Sequence, residues 1–155
     1  MSAAVIVALR IAAAPDAVFA AFTDDIGQWW KSHPLFALSR RGDGVLRFDP
    51  AGPDGRLVTR FDDGEEWEIG PIRRWLPGER LTFGWRLPSF AAGQSTEVDV
   101  RFEAIDSGTR VTVEHRGWDT IPQKHAARHA FELMLFQRRL GEHWRGLLGR
   151  VGERI

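Results

Sequence analysis

The chain has no cysteine, no tyrosine and only two methionines. Without cysteine there is no disulfide, no thiolate nucleophile and no cysteine-ligated metal, a composition that suits the cytoplasm. Neither sign of charge is in excess, since 21 Lys and Arg stand against 21 Asp and Glu. That balance supplies no sequence-independent attraction to nucleic acid or to an anionic membrane. Long apolar runs are missing too, and nothing approaches the ~20 residues needed to cross a bilayer. The N-terminal stretch has no basic start, and Arg10 interrupts its apolar run. It therefore reads as a strand over about 3–12, alternating Val5, Val7, Leu9 and Ile11, and not as a signal peptide. Glycine-rich phosphate loops, a dinucleotide fingerprint and the GxSxG nucleophile turn are all absent.

What is abundant is large aromatic surface: seven Trp and ten Phe in 155 residues. A chain of this length fits one domain, 1–155, with a sizeable core. Tryptophan is seldom buried completely, so this many in one small domain points to a cavity, a groove or an interface.

The spacing of apolar residues separates the chain into two regimes. From Ile121 onward, Leu133, Phe136, Leu140, Trp144, Leu147 and Val151 recur at steps of three and four, which places them along one face of a long helix. Between Val45 and Trp118 the period is two. Val98, Val100 and Phe102 alternate with charged residues, and Val111 and Val113 do the same, so one sheet face is wet and the other buried. Continuing that register turns His115 inward. Turn-forming clusters at 50–55, 62–64, 77–79 and 106–108 separate the strands, and Gly70-Pro71 marks a bend inside one of them. Pro15 opens a short helix bearing Val18, Phe19 and Phe22. A second short helix carries Ile26, Trp29 and Trp30. Adjacent helical residues lie about 100° apart, so these two Trp are not expected both to point inward. Residues 32–41 are expected to be irregular, or a short edge strand around Leu35–Leu38. One long helix after a run of antiparallel strands buries its stripe by lying against the concave face of the sheet.

Several polar groups invite a chemical reading. His115, buried near neutral pKa, could act as acid, base or ligand anchor, or could be a structural histidine bonded to a backbone carbonyl. His125 and His129 share a helical face at metal-ligand spacing, but no third ligand accompanies them and no metal site is expected. Glu65, Glu66 and Glu68 with Arg73, Arg74 and Arg86 read as cross-strand pairs on the wet face. The arginines from Arg138 to Arg150 read as the solvated side of the long helix. Phe131, Leu133, Met134, Leu135 and Phe136 make the start of that helix apolar all round. A loop carrying Phe36 or Phe90, or a second copy of the chain in a homodimer, is expected to cover it.

The order of elements, the Trp29-Trp30 pair, the segment from Leu81 to Arg86, and the strands Glu97–Phe102 and Gly108–Trp118 resemble the helix-grip fold. That fold is shared by START lipid-transfer domains, the birch-pollen-allergen family and polyketide cyclases, together the SRPBCC superfamily. Within it the chain is similar to the bacterial-type branch named for the activator of the heat-shock-protein ATPase (Aha1-like). The resemblance implies an α+β fold: a curved antiparallel sheet wrapped around a long C-terminal helix, with two short helices between the first two strands. It implies a pocket, not a reaction.

The expectation is therefore a binder of a small apolar or aromatic ligand, with no cofactor, no catalytic set, no nucleic acid and no membrane insertion. The aromatic candidates to line the site are Trp29, Trp30, Phe36, Trp67, Trp85 and Trp118. His115, Leu133, Phe136 and Leu140 complete the set. A cyclase, dehydratase or hydrolase using the same cavity would require a second titratable group beside His115. A co-chaperone-like interaction module would require a surface patch instead of a cavity.

Overall fold

The computed structural model of the chain describes residues 4–39, 41–122, 124–128 and 131–155. Strand β1 (Ala4–Ile11) leads into α1 (Pro15–Asp24) and α2 (Ile26–Trp29). Six strands follow: β2 (Val45–Phe48), β3 (Arg56–Arg60), β4 (Glu66–Leu76), β5 (Arg80–Trp85), β6 (Thr96–Ile105) and β7 (Gly108–Arg116). Helix α3 (Leu133–Glu153) ends the chain. The strands form one antiparallel sheet in the order β1-β7-β6-β5-β4-β3-β2. This is the helix-grip arrangement that the resemblance implies. Among the described residues, no helix is long and apolar enough to cross a membrane.

The sheet curves where β4 bends. Its register shifts against β3 between Leu57 and Val58, and against β5 between Ile72 and Arg74. Gly70 sits in this bend so close to β5 that a Cβ there would lie 2.0 Å from the Gly84 carbonyl oxygen. The Gly70-Pro71 step thus bends the strand without ending it.

Helix α3 packs chiefly along β1, at the sheet edge. Its buried face is Phe136, Leu140, Trp144, Leu147, Leu148 and Val151. The helix is shorter than the sequence suggests. Pro122 has no amide proton to continue a helical ladder, and the chain instead makes two 3-10 turns, Trp118–Thr120 and Ala126–Arg128. Helix α3 starts only where the Glu132 carboxylate accepts the Leu135 amide at 2.8 Å, an N-cap. Of the apolar residues around its first turn, Phe136 is covered by the Phe36 ring at 5.7 Å. Leu133 is half-buried, and Met134 remains 76% exposed.

Three further expectations are corrected. Trp30 lies beyond the end of α2, in extended conformation, so the 100° rule does not separate it from Trp29 and both rings turn inward. Of the two alternatives for residues 32–41, irregular structure is the one found, with no strand among those described. The outer face of the sheet is not wet throughout: Asp99 is only 1% exposed. It accepts two hydrogen bonds from the Arg80 guanidinium, at 2.9 and 2.7 Å, and one from Thr82 at 2.8 Å. Burial pushes its carboxyl up, but the Arg80 and Thr82 bonds outweigh that and hold it below the usual carboxylate range. The ion pairs are cross-strand but differ from those expected. Glu66 pairs with Arg47, Glu68 with Arg56 and Arg73 with Glu97, while Arg86 turns into the loop after β5.

Trp144→Ala should destabilise the protein by about 3–5 kcal/mol, because a fully buried indole leaves a void between helix and sheet. Exposed Arg145→Ala should cost under roughly 0.5 kcal/mol. Chemical denaturation of the two variants checks this, and equal losses would place the wrong face of α3 on the sheet.

Candidate functional site

Because the sheet curves away while α3 stays close to β1, a space opens between the helix and the β5 side of the sheet. It is a cavity of about 560 Å³. Sheet residues Trp85 and His115 form its floor, Leu140, His143 and Trp144 its helical wall, and Trp30 one side. Segments 34–39 and 87–89, with Trp118 and Ala127, complete it.

The floor is built around a directed chain of hydrogen bonds. The indole of Trp144 can only donate, and its Nε1–H points to His115 Nδ1 at 3.2 Å. The neutral imidazole must then carry its proton on Nε2, which donates to Thr96 Oγ1 at 2.9 Å. The Thr96 hydroxyl proton passes on to the Trp85 carbonyl at 2.8 Å. Both nitrogens of His115 are thereby occupied, and the ring is 1% exposed. Burial pulls its pKa down to about 3. His115 lines the cavity as a ring edge and holds Trp85 and Trp144; neither nitrogen is free to anchor a ligand or move a proton.

The walls are held from behind. Trp30 donates its indole proton to the Asp43 carboxylate at 2.7 Å, and the same carboxylate accepts the Leu38 amide at 2.8 Å. One buried aspartate thus ties segment 34–39 to Trp30. Across the opening, His125 takes the Ala127 amide on Nδ1 and donates from Nε2 to the Ser89 carbonyl, fastening segment 87–89 to the second 3-10 turn. Arg86 bonds to the carbonyls of Phe90, Ala91 and Gln94, and Phe90 packs on Trp118 and His125. His125 is thus a structural clasp. His129, its expected companion, lies outside the described residues, among which no group of three or more His, Cys, Asp or Glu could hold a metal.

His143 was not singled out by the sequence. It lies between Phe36, stacked at 5.3 Å, and Trp30 at 6.0 Å, with His33 at 5.1 Å. Burial first, and the neighbouring His33 second, lower its pKa to about 4. Its Nε2 is buried and has no hydrogen-bond partner among the described residues, and the same holds for Trp118 Nε1.

A family model for activator of Hsp90 ATPase homolog 1-like proteins matches residues 12–145. The chain belongs to this family. Its fold is also found, at 20% identity and a TM-score of 0.61, in the solution structure of an AHSA1-like protein from Aeromonas hydrophila, over 97% of this chain and 90% of that one. DynU16, from the dynemicin biosynthetic locus, has a TM-score of 0.64 at 20% identity. The di-domain ARO/CYC StfQ from the steffimycin biosynthetic pathway has 0.60 at 14%. The chain is covered over 97% and 99% in these two, and spans about half of each, 46% and 50%. No curated protein matches the sequence. At such identities the solved structures share the fold alone.

Among the expected site residues of this AHSA1-like chain, Trp30, Phe36, Trp85, His115, Trp118 and Leu140 border the cavity. Four do not. Trp29 is wholly buried against Phe22 and bonds to its carbonyl. Trp67 packs outside the cavity and bonds to the Arg86 carbonyl. Phe136 lies behind Trp118 at 4.7 Å, and Leu133 sits about two turns before Leu140, the first lining residue on α3. The residues not foreseen as lining are the rest of segment 34–39 besides Phe36, segment 87–89, Ala127 and His143. Trp144 had been foreseen in the helix stripe, where its spacing marked it.

The lowered His115 pKa has a thermodynamic consequence. The unfolded imidazole titrates near ~6.5, so unfolding takes up a proton between there and about 3. Stability should be full above ~6.5 and fall on acidification, by up to about 1.4 kcal/mol per pH unit from His115 alone. Between pH 6.5 and 5 the carboxylates contribute little, so denaturant midpoints in that window isolate the histidines. An unchanged midpoint, or an His115 ring resonance that titrates there, would contradict the buried neutral ring.

Proposed function

We propose that this chain binds one small apolar or aromatic molecule in the cavity between α3 and the sheet. The observation that carries the reading is the chemistry of the wall. Rings of Trp30, Phe36, Trp85, Trp118 and Trp144 surround about 560 Å³, and among the described residues no Asp, Glu, Lys or Arg lines it. The volume falls within the roughly 300–1,000 Å³ of small-molecule sites, which are mostly apolar with few polar groups. Flat aromatic faces favour an aromatic guest, since offset and edge-on ring contacts add about 0.5–1.5 kcal/mol beyond burial.

Binding is favoured over catalysis by the state of the two titratable groups in the wall. His115 and His143 are both held neutral at physiological pH, and His115 has its nitrogens engaged. A general acid or base works best with a pKa near the operating pH, which neither ring has.

The test is titration with N-phenyl-1-naphthylamine, an uncharged apolar fluorophore. Its emission should rise to saturation with one site per chain. Leu140→Trp, which fills the cavity from α3, should weaken binding at least tenfold, about 1.4 kcal/mol, with the fold intact by circular dichroism. A non-saturating response, or unchanged affinity in Leu140→Trp, would remove the cavity as the binding site.

A further inference from the structure

His143 borders two spaces. One is the aromatic cavity, and the other is a separate cleft of about 400 Å³ between the segment after α2 and helix α3. Lys31, Ser32 and His33 line this cleft from the segment, and His143, Gly146 and Arg150 line it from the helix. Its chemistry is the reverse of the cavity's, because it is built from charge and hydrogen-bond donors.

Two cations face the cleft, and among the described residues neither is paired with a carboxylate. Lys31 is exposed and makes no hydrogen bond there. Arg150 is held in place by neutral groups: Nε–H donates to the Trp29 carbonyl at 2.8 Å and Nη2 to the Gln28 carbonyl at 3.3 Å. Those bonds orient the guanidinium and use two of its five N–H donors, leaving its charge without a counter-ion. Arg154, one turn further along α3, does have one, Asp25 at 3.5 Å. The one acid at the cleft, Glu142, pairs with Arg139 at 3.8 Å, and both side chains are more than half exposed.

His33 adds a directed donor. Its Nδ1 accepts the Leu35 amide at 3.0 Å, so the neutral ring carries its proton on Nε2. That N–H has no partner among the described residues. The ring is steadied by Phe36 at 5.0 Å and His143 at 5.1 Å. Gly146 leaves the helical side bare, since a Cβ there would meet nothing within 4 Å.

Independently of what the aromatic cavity holds, we propose that this cleft binds a phosphate-type dianion, with Lys31 and Arg150 matching its charge and His33 donating to an oxygen. A phosphate monoester carries about −1.5 to −2 at neutral pH, which two unpaired cations balance. Lysine supplies a point charge and arginine a planar fork, the two common ways in which side chains hold phosphate. Free phosphate and a phosphate monoester share this chemistry. Arg150, being tied to the end of α2, positions the anion, and exposed Lys31 closes over it.

The test is titration of the wild-type chain at neutral pH and fixed ionic strength, read by the ring resonances of His33 and His143. Inorganic phosphate and glycerol 1-phosphate should each shift both rings and saturate at one site, and acetate should bind about tenfold more weakly. Either order of the two phosphates supports the site, and the tighter one names the source. Lys31→Gln, which breaks no internal contact, should weaken phosphate about fivefold. Gly146→Glu puts a carboxylate into the bare side of the cleft and should weaken it about tenfold, with the fold intact by circular dichroism. Arg145→Gln removes an equal charge from an exposed position of α3 outside the cleft and should leave affinity within about twofold. A response that never saturates, acetate binding as tightly as phosphate, unchanged affinity in Lys31→Gln and Gly146→Glu, or an equal loss in Arg145→Gln would each overturn the site. None of these outcomes touches the binding of the apolar probe in the cavity.

Discussion

Trp144 on the helix, His115 and Thr96 on neighbouring strands, and the Trp85 backbone are joined by three hydrogen bonds that all run in one direction. Everything in the cavity depends on this chain. It spans from α3 across β7 and β6 to β5, and so ties the helix to the sheet at the cavity floor. It also explains why a histidine tolerates complete burial. Each ring nitrogen has a partner of the right sense only while the ring is neutral, and desolvation enforces that state. The two rings it positions, Trp85 and Trp144, are cavity walls. Structure and site therefore share the same three bonds.

Around that floor, the remaining walls are loops restrained by single polar side chains. Asp43 gathers Trp30 and Leu38, His125 gathers Ser89 and Ala127, and Arg86 gathers three carbonyls of the loop after β5. Each converts a segment with no periodic structure into a defined surface, and none of these polar groups is spent on the cavity interior. The result is a hollow whose polar framework points outward and whose aromatic faces point inward. The Asp99 cluster on the opposite side of the sheet follows the same economy. Arg80 and Thr82 satisfy a buried carboxylate on the outer face, leaving the inner face of β5 and β6 to apolar residues.

The sequence discloses what is periodic and hides what is not. The helix stripe from Phe136 to Val151, the inward His115 and the bend at Gly70 follow from steps of 3.6 and 2 and from turn chemistry. Two of the candidates that do not border the cavity, Leu133 and Phe136, share a cause: the stripe continues past the end of the cavity, and periodicity does not say where the gap stops. Trp29 and Trp67 lie off the cavity for another reason. Both face the core side, but core and cavity wall look alike in one dimension. His143 was missed because it flanks Trp144, off the centre of the stripe, and reaches the cavity only because Phe36 folds over it. Segments 34–39 and 87–89 have no period to read, and the polar atoms that restrain them lie far away in sequence.

Gly70 shows how differently two kinds of position in this chain are free to change over evolutionary time. A methyl group there would meet the backbone of Gly84, not a side chain that could swing aside. No ligand, and no adjustment of the cavity, relieves that clash. Drift at position 70 is closed to any descendant that keeps this curved sheet, whatever it binds. The residues at 36, 118, 140 and 143 border the cavity, so they can diverge and carry new specificities on an unchanged frame. Identity between distant relatives at 70 would speak of shared curvature alone, and the record of what each lineage binds would be written in the cavity wall.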